Sequence, residues 1–278
     1  MTGMTGQSGN RVLQSVLLAC VLCWSVFPII WQVVTSIKPD ADLMSLPPFF
    51  PARPTLAHYA ALFEEHPFQR VLLNSFGVAT LTALASLALA APAAFALAWL
   101  PARGKPLILG IVLACSMFPA IVTVGPLFIV LRALHLRDTW WALLISHITF
   151  SLPLTIWVLT NFMRELPGDL YRAARVDGCS PWQALTRVFL PLSRPGLTAA
   201  GVLAFLFSWT EFLYAFTFTA TEASRTMPVA IVLFPGLHEI RWGELAAASI
   251  LVTAPVIVLV LAFQRHIVRG LTAGAVKG

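Results

Sequence analysis

Long apolar stretches, all but one of them without charges, alternate with short polar segments along most of the chain. The hydrocarbon of a bilayer is about 30 Å thick and a helix rises about 1.5 Å per residue, so one crossing needs about 20 mostly apolar residues. Each stretch has that length and is far longer than the membrane strands of about 10 residues that form barrels. The pattern predicts an all-α membrane protein with six transmembrane helices, at residues 12–37, 71–102, 106–131, 139–163, 195–221 and 245–264.

The chain begins with 11 mostly polar residues, which we interpret as a short cytoplasmic N-terminus (1–11). The apolar stretch that follows is too long for the core of a signal peptide, and it lacks a small-residue cleavage site. We therefore expect this stretch to be retained as the first transmembrane helix.

Composition and charge agree with a membrane location. The 278 residues are 58% hydrophobic and 11% charged, and the mean hydropathy is +0.83, which exceeds what a soluble core requires. The net charge of +6 lies in short segments between the apolar stretches, which argues against nucleic-acid binding. One set of alternate segments holds eleven basic and three acidic residues, and the other holds seven basic and eight acidic residues. The positive-inside rule therefore predicts that both termini are cytoplasmic.

Prolines are frequent both between and within the predicted helices. The external segment 38–70 contains six, which predict a partly extended loop with at most one short helix near residues 56–63. Six more lie inside the predicted spans, at positions 28, 92, 119, 126, 153 and 255. Each removes a backbone donor and is expected to break its helix locally, which lipid permits only beside protein or a water-filled cavity. These breaks favour a translocating protein over a simple anchor.

The predicted cytoplasmic loop at residues 166–194 carries signals for a first short helix. Asp169 is expected to cap a helix at 170–176. Gly178 is expected to end this helix in the left-handed conformation, which produces a tight corner.

A second short helix is predicted directly after that corner. Ser180 is followed by a proline and, three residues later, by Gln183, which predicts a capping box. Pro191 is expected to stop the helix. Apolar faces on both helices come from Tyr171, Ala174, Trp182, Leu185 and Phe189, while arginines keep the helices out of lipid.

This loop resembles the coupling loop of the inner-membrane permeases of ABC importers, in particular the carbohydrate class of the maltose and trehalose systems. The family's loop reads Glu-Ala-Ala, three residues, Gly, and later an apolar residue, a spacer and Leu-Pro. The matching positions are Ala173, Ala174, Asp177, Gly178, Val188, Leu190 and Pro191. The similarity extends to Asn74-Ser75, Met117-Phe118-Pro119, Gly125-Pro126-Leu127, Leu152-Pro153, Trp209-Thr-Glu-Phe212 and the tail 264–278.

The resemblance implies a type I ABC importer permease fold in the cell inner membrane, with a core at 71–268 and a cytoplasmic tail at 269–278. It also implies that the loop is a coupling helix lodged in a cleft of a separate ATPase, where small alanines let the helix approach the cleft floor. The coupling residues would be Tyr171, Arg172, Ala173, Ala174, Asp177, Gly178, Leu190 and Pro191. The tail would contact the ATPase through Gly270, Gly274 and Lys277.

One position departs from the family's pattern. Where the family has the leading glutamate of the loop, this chain has Arg172. The charge of that contact is therefore reversed, and we hypothesise that the partner ATPase presents an acidic or neutral residue there.

Two polar residues lie deep within predicted spans. A charge at a helix centre costs about 2.5 to 3.5 kcal/mol on insertion scales, so Glu211 is expected to face the bundle interior or a cavity. It could line a sugar path together with Trp209, or it could pair with a helix dipole or a hydroxyl group. His147 could relay protons, but a hydrogen-bonded packing role is the favoured interpretation.

The sequence has no phosphate-binding loop, no metal-binding motif and no serine nucleophile elbow. We therefore expect a transport subunit and no enzyme, with no cofactor in this chain and with ATP and Mg bound by partner ATPase chains. The resemblance implies four kinds of partner: a second permease subunit, two ATPase subunits, an external sugar-binding protein or lipoprotein, and membrane lipid.

We predict import of a carbohydrate, such as the disaccharides trehalose or maltose. An ABC permease for another solute, such as a glycerol phosphate or a different sugar, is the nearest alternative. An ion-driven secondary transporter would need paired intramembrane carboxylates and internal repeats. A membrane scaffold or enzyme would leave the coupling loop unexplained.

Overall fold

The computed structural model describes residues 5–43, 49–233 and 241–272, with the side chains of 13–43, 49–233 and 241–265, and these residues contain helices and no strand. The helices are α1 Thr5–Ser36, α2 Asp40–Leu43, α3 Ala57–Glu64, α4 Phe68–Trp99, α5 Lys105–Ser116, α6 Ala120–Ala133, α7 Trp140–Glu165, α8 Asp169–Val176, α9 Pro181–Ala184, α10 Leu190–Leu192, α11 Arg194–Thr210, α12 Leu213–Phe218, α13 Met227–Leu233 and α14 Trp242–Thr272. A π-helical turn, Leu185–Phe189, joins α9 to α10.

Four helices are long and apolar enough to cross a membrane: Leu13–Ser36, Phe68–Trp99, Trp140–Glu165 and Trp242–Arg265. Two bent pairs raise the number of candidate spans in the described part of the chain to six. The pair α5 and α6 bends by 85°, and the pair Pro181–Leu192 and Arg194–Thr210 bends by 81°. The all-helical membrane architecture predicted from the hydropathy pattern is thus confirmed.

The prediction that every proline within a span breaks its helix is wrong. Pro28, Pro92, Pro126, Pro153 and Pro255 lie inside continuous helices. A proline removes one hydrogen bond, and the turns on either side can hold the helix together. Of the six prolines within the predicted spans, only the one at position 119 stands at a break, where it precedes α6 with an extended backbone, φ −61° and ψ 127°.

One compact unit comprises Met1–Pro67 and Leu233–Thr253. Within it the segment after α1 is more helical than predicted, because α2 forms in addition to α3. His58 of α3 is buried, and its Nε2 lies 2.8 Å from the carbonyl oxygen of Lys38. The guanidinium of Arg241 donates to Glu65 at 2.8 Å and to Glu244 at 2.9 Å, and these carboxylates raise its pKa.

The second unit, Phe68–Val232 and Ala254–Gly278, contains the packed bundle of α4, α7 and α11. Close packing depends on small residues, as expected where helices associate without a hydrophobic driving force. Gly77 lies against the ring of Trp140, and Gly196 lies against the ring of Phe162. A side chain at either glycine would overlap the ring it faces.

Candidate functional site

The predicted coupling loop forms a hairpin of short helices at residues 169–192, hereafter the 169–192 hairpin. Gly178 has φ +80°, so the predicted left-handed corner is confirmed. The capping box is also confirmed: the Ser180 hydroxyl accepts from the amide of Gln183 at 3.2 Å, and the Gln183 side chain accepts from the amide of Ser180 at 2.8 Å. Local sequence therefore fixes the corner and the start of the second helix.

Two details of the predicted hairpin are wrong. Asp169 is the first residue of α8 and makes no capping bond, because Gly168 occupies the cap position. Pro191 does not stop the second helix, which continues to Leu192. Proline lacks an amide hydrogen, and the chain accommodates it with the π-helical turn, in which the amide of Leu190 donates to the carbonyl of Leu185 five residues earlier.

One face of the hairpin is packed against the bundle through an aromatic cluster. Four rings, those of Phe95, Trp99, Tyr171 and Phe189, have centroids 5.1 to 6.5 Å apart. Such contacts add about 0.5–1.5 kcal/mol per pair beyond the buried area. Ala174 belongs to this packed face and is 4% exposed. It therefore cannot meet a partner's cleft directly, in contrast to the expectation that both alanines approach the cleft floor.

The opposite face of the hairpin is open. Val176 is 87% exposed and Trp182 is 63% exposed. The other predicted coupling residues divide in the same way: Tyr171 and Leu190 are half-buried, whereas Arg172, Ala173, Asp177, Gly178 and Pro191 are exposed. Large apolar side chains beside solvated charges are typical of a surface that another protein covers.

The charge of Arg172 is nearly unpaired within the chain. Its guanidinium lies 3.8 Å from the Asp169 carboxylate, and both side chains are highly exposed. Exposed pairs of this kind contribute little to stability. Arg172 is therefore available to a partner. Of the predicted tail residues, Gly270 lies within α14, and Gly274 and Lys277 lie outside the described residues.

Trp209 and Glu211 lie at the end of α11. Trp209 is 2% exposed and stacks on Phe205, with centroids 5.6 Å apart, so it faces the packed interior of the chain. Glu211 does not lie inside a continuous helix as predicted. It occupies a break between α11 and α12, where its backbone is extended (φ −69°, ψ 128°).

The Glu211 carboxylate caps the helix that follows the break. Its Oε1 accepts from the amide of Tyr214 at 2.8 Å, and its Oε2 accepts from the amide of Ala215 at 3.1 Å. These amides belong to the first turn of α12 and have no helical partner. Two roles were expected for Glu211, lining a sugar path or pairing with a helix terminus or hydroxyl group. The structure shows it paired with a helix terminus.

His147 also contacts this carboxylate. The ring is fully buried, with Nε2 3.2 Å from Glu211 Oε2 and Nδ1 2.7 Å from Ser208 Oγ. Ser208 donates in turn to Thr82 at 3.4 Å. We call Thr82, His147, Ser208 and Glu211 the span-break cluster. The hydrogen-bonded role favoured for His147 is confirmed, whereas its pairing with Glu211, 64 residues away in sequence, was not foreseen.

Asp138, which lies outside the spans, is the centre of another group of hydrogen bonds that the sequence did not predict. Its carboxylate accepts from the amides of Ala220 and Thr221 and from the hydroxyls of Thr221 and Ser224. Burial opposes ionisation, but these hydrogen bonds prevail and lower the pKa of Asp138 to about 2. Asp138 also has a positive φ of 61°, a backbone conformation that aspartate tolerates better than most residues.

Comparison with known proteins identifies the family. A family model described as the binding-protein-dependent transport system inner membrane component matches residues 86–273. The chain is 42% identical to the trehalose transport system permease protein SugB of Mycobacterium tuberculosis, over 95% of this chain and 97% of that one. It is 39% identical to the sulfoquinovosyl glycerol transport system permease protein SmoH of Agrobacterium fabrum, over 99% and 97%.

Two further matches agree with these. The trehalose/maltose transport system permease protein MalG of Thermococcus litoralis is 38% identical, over 94% of each chain. A chain of a solved bacterial ABC transporter that imports the acidic polysaccharide alginate has the same fold, with a TM-score of 0.83 at 20% identity, over 95% of this chain and 99% of that one. The chain therefore belongs to the inner membrane components of binding-protein-dependent transport systems, as a sugar ABC importer permease with the type I fold.

Proposed function

We propose that this permease forms half of the transmembrane path of an importer for a disaccharide of the trehalose or maltose kind. The relatives named for trehalose and maltose transport support this substrate class, since they match the chain over nearly its whole length. The relative named for sulfoquinovosyl glycerol supports a second candidate, a sugar joined to glycerol.

Coupling to a separate ATPase is proposed for the open face of the 169–192 hairpin, and this face is the observation that carries the proposal. Val176 and Trp182 are largely exposed while Ala174, Leu185 and Phe189 are buried against the bundle. The hairpin is thus held firmly on one side and presents apolar and charged groups on the other. A partner that covers this surface could push on the bundle through the aromatic cluster.

The remaining features of the proposal follow the predicted topology. Both termini and the hairpin lie in the cytoplasm, and the tail residues Gly270, Gly274 and Lys277 contact the ATPase. A second permease, two ATPase chains that bind ATP and Mg, and an external sugar-binding protein or lipoprotein complete the importer. The family's description as binding-protein-dependent supports the last of these partners.

Trp209 and Glu211 are proposed to act at the sugar path. Trp209 is buried and Glu211 is bound to α12 and His147, so their proposed role is to shape the wall of the path at the break in the fifth span. Lower uptake by Glu211→Gln with unchanged assembly and ATP hydrolysis would support this role.

Two measurements test the proposed function. The tagged permease is purified from its native membrane, and an ATPase that co-purifies with it is the expected result. The complex is then reconstituted with its binding protein, and uptake of labelled trehalose, maltose and a glycerol-linked sugar is measured. Uptake of a disaccharide supports the proposal, uptake of the glycerol-linked sugar alone supports the second candidate, and absence of an ATPase contradicts the coupling role.

A further inference from the structure

The break between α11 and α12, within the predicted fifth span at residues 195–221, creates a structural problem that the span-break cluster solves. Helix α11 ends at Thr210 after 17 residues, and α12 begins at Leu213. At such a break the first amides of the new helix would be left without acceptors, which is unfavourable in an apolar environment. The Glu211 carboxylate provides the acceptors by binding the amides of Tyr214 and Ala215.

The carboxylate itself needs a partner, because an isolated charge within a span is costly. That partner is His147, whose Nε2 lies 3.2 Å from Oε2, the same oxygen that accepts from the amide of Ala215. The side chains of both residues are almost completely buried. The imidazole therefore restrains one specific oxygen of the group that caps α12.

The other side of the imidazole is anchored to α11. Nδ1 lies 2.7 Å from the hydroxyl of Ser208, which stands in the last turn of α11. One ring on α7 thus contacts the end of α11 and, through Glu211, the start of α12. The two helix segments are held in a fixed relation by a single side chain from a third helix.

The orientation of α12 affects the other broken span as well. The hydroxyl of Tyr214 on α12 lies 2.7 Å from Thr123 Oγ1, in the first turns of α6, and its ring stacks on Phe150 of α7 at 5.1 Å. Helix α6 begins directly after the break at Pro119. Helix α12 is therefore in direct contact with the first turn of α6, next to the break in the third span.

We propose that His147 is a positioning residue for transport: it acts through Glu211 to fix the direction in which α12 leaves α11. This inference rests on the proposed role of the fifth span in the sugar path. His147 would act through its bond to Glu211, without contacting the transported solute itself.

Two variants with amide side chains distinguish the contact made by Nε2 from the contact made by Nδ1. In His147→Gln the side-chain nitrogen reaches the position of Nε2 and can still donate to Glu211, whereas in His147→Asn it reaches only the position of Nδ1 and can serve Ser208 alone. Because His147→Asn loses the bond to a buried charged group, we expect it to lower the maximal uptake rate about tenfold or more. His147→Gln is expected to stay within about twofold of the native rate.

Uptake is normalised to the amount of assembled complex, with labelled trehalose and maltose as the probes. In a Glu211→Gln background, His147→Asn is expected to cause no further loss, because the two side chains act as one unit. Equal losses for the Asn and Gln variants, or losses that merely follow the amount of complex, would overturn the proposal by showing a packing role only.

A second readout does not depend on the sugar. A cysteine replaces Phe216, an exposed residue of α12, in a chain whose four native cysteines are changed to serine, and its rate of maleimide labelling is measured. We expect the cysteine at position 216 to be labelled at the same rate in the chain with His147 and in His147→Gln. In His147→Asn we expect a different labelling rate. Failure of trehalose and maltose uptake in the native complex would contradict the proposed substrate, whereas an unchanged labelling rate in His147→Asn would contradict the positioning role.

Discussion

The 169–192 hairpin and the span-break cluster are built on opposite principles. The hairpin takes its shape from neighbouring residues, through a glycine corner at Gly178 and a capping box between Ser180 and Gln183. The cluster joins residues of α4, α7 and α11 and the break after α11, through contacts between residues that are 61 to 126 positions apart in sequence. The hairpin is therefore shaped locally and open to a partner, whereas the cluster depends on the packed bundle and is closed within it.

This difference predicts which variants will affect partner binding and which will affect the bundle. A change on the open face of the hairpin should leave the permease folded but weaken its complex. A change on the packed face, or at a buried polar site, should lower stability itself. The following variants test this division.

The largest effect on ATPase binding is expected at the glycine corner. Gly178→Val places a β-branched residue at φ +80°, which costs about 1–3 kcal/mol and distorts the hairpin. We expect at least about a tenfold loss of the ATPase that co-purifies. Gly104→Val is the matched control, because Gly104 has φ +78° and open space around it but lies outside the hairpin. Equal losses from both variants would show that backbone strain alone accounts for the effect.

The packed face is tested by removing a buried ring. Phe189→Ala leaves a cavity among Phe95, Trp99 and Tyr171 and should cost about 3–5 kcal/mol of stability. Thermal unfolding in detergent measures this loss. Trp182→Ala is the comparison on the open face, and we expect it to change unfolding little while it reduces ATPase binding. A large fall in unfolding temperature for Trp182→Ala would contradict the division between the two faces.

The structure also explains why the two regions differed in predictability. Turn and cap signals act between residues one to five positions apart, so Gly178 and Ser180 could be interpreted from sequence. The pairing of His147 with Glu211, and the donors around Asp138, depend on tertiary packing that no local pattern specifies. From sequence, Glu211 could be assigned a place by a sugar path or beside a helix dipole or hydroxyl group, but its partner could not be named. The apolar pattern also places this residue inside a helix that in fact ends one residue earlier.

A pH-dependent effect is expected at Asp138. Its folded pKa is about 2, below the ordinary value of 3.8, so ionisation stabilises the folded state above that ordinary value. The contribution disappears as the pH falls from about 3.8 towards about 2. We expect Asp138→Asn to lower the unfolding temperature by about 2–4 °C at pH 7 and by less near pH 3. A difference that stays constant with pH would contradict the role of the charge.

The smallest effect on stability is expected at Arg172. Because its contact with Asp169 is long and exposed, Arg172→Glu should change stability by less than about 0.5 kcal/mol. If the ATPase presents an acidic or neutral residue there, the variant should lower transport-coupled ATP hydrolysis with the native ATPase. Arg172→Lys keeps the charge and serves as the control. An increase in coupled hydrolysis for Arg172→Glu would refute the matched-partner hypothesis.

The central claim is that the open face of the 169–192 hairpin is covered by an ATPase. The most direct measurement is the labelling rate of a cysteine placed at Val176, in a chain without its native cysteines, before and after the ATPase subunit is added. A cysteine at Leu134, an exposed residue on the side predicted to be external, is the control. The account predicts strong protection at position 176 and none at position 134, and an unchanged labelling rate at 176 in a complex that hydrolyses ATP would contradict it.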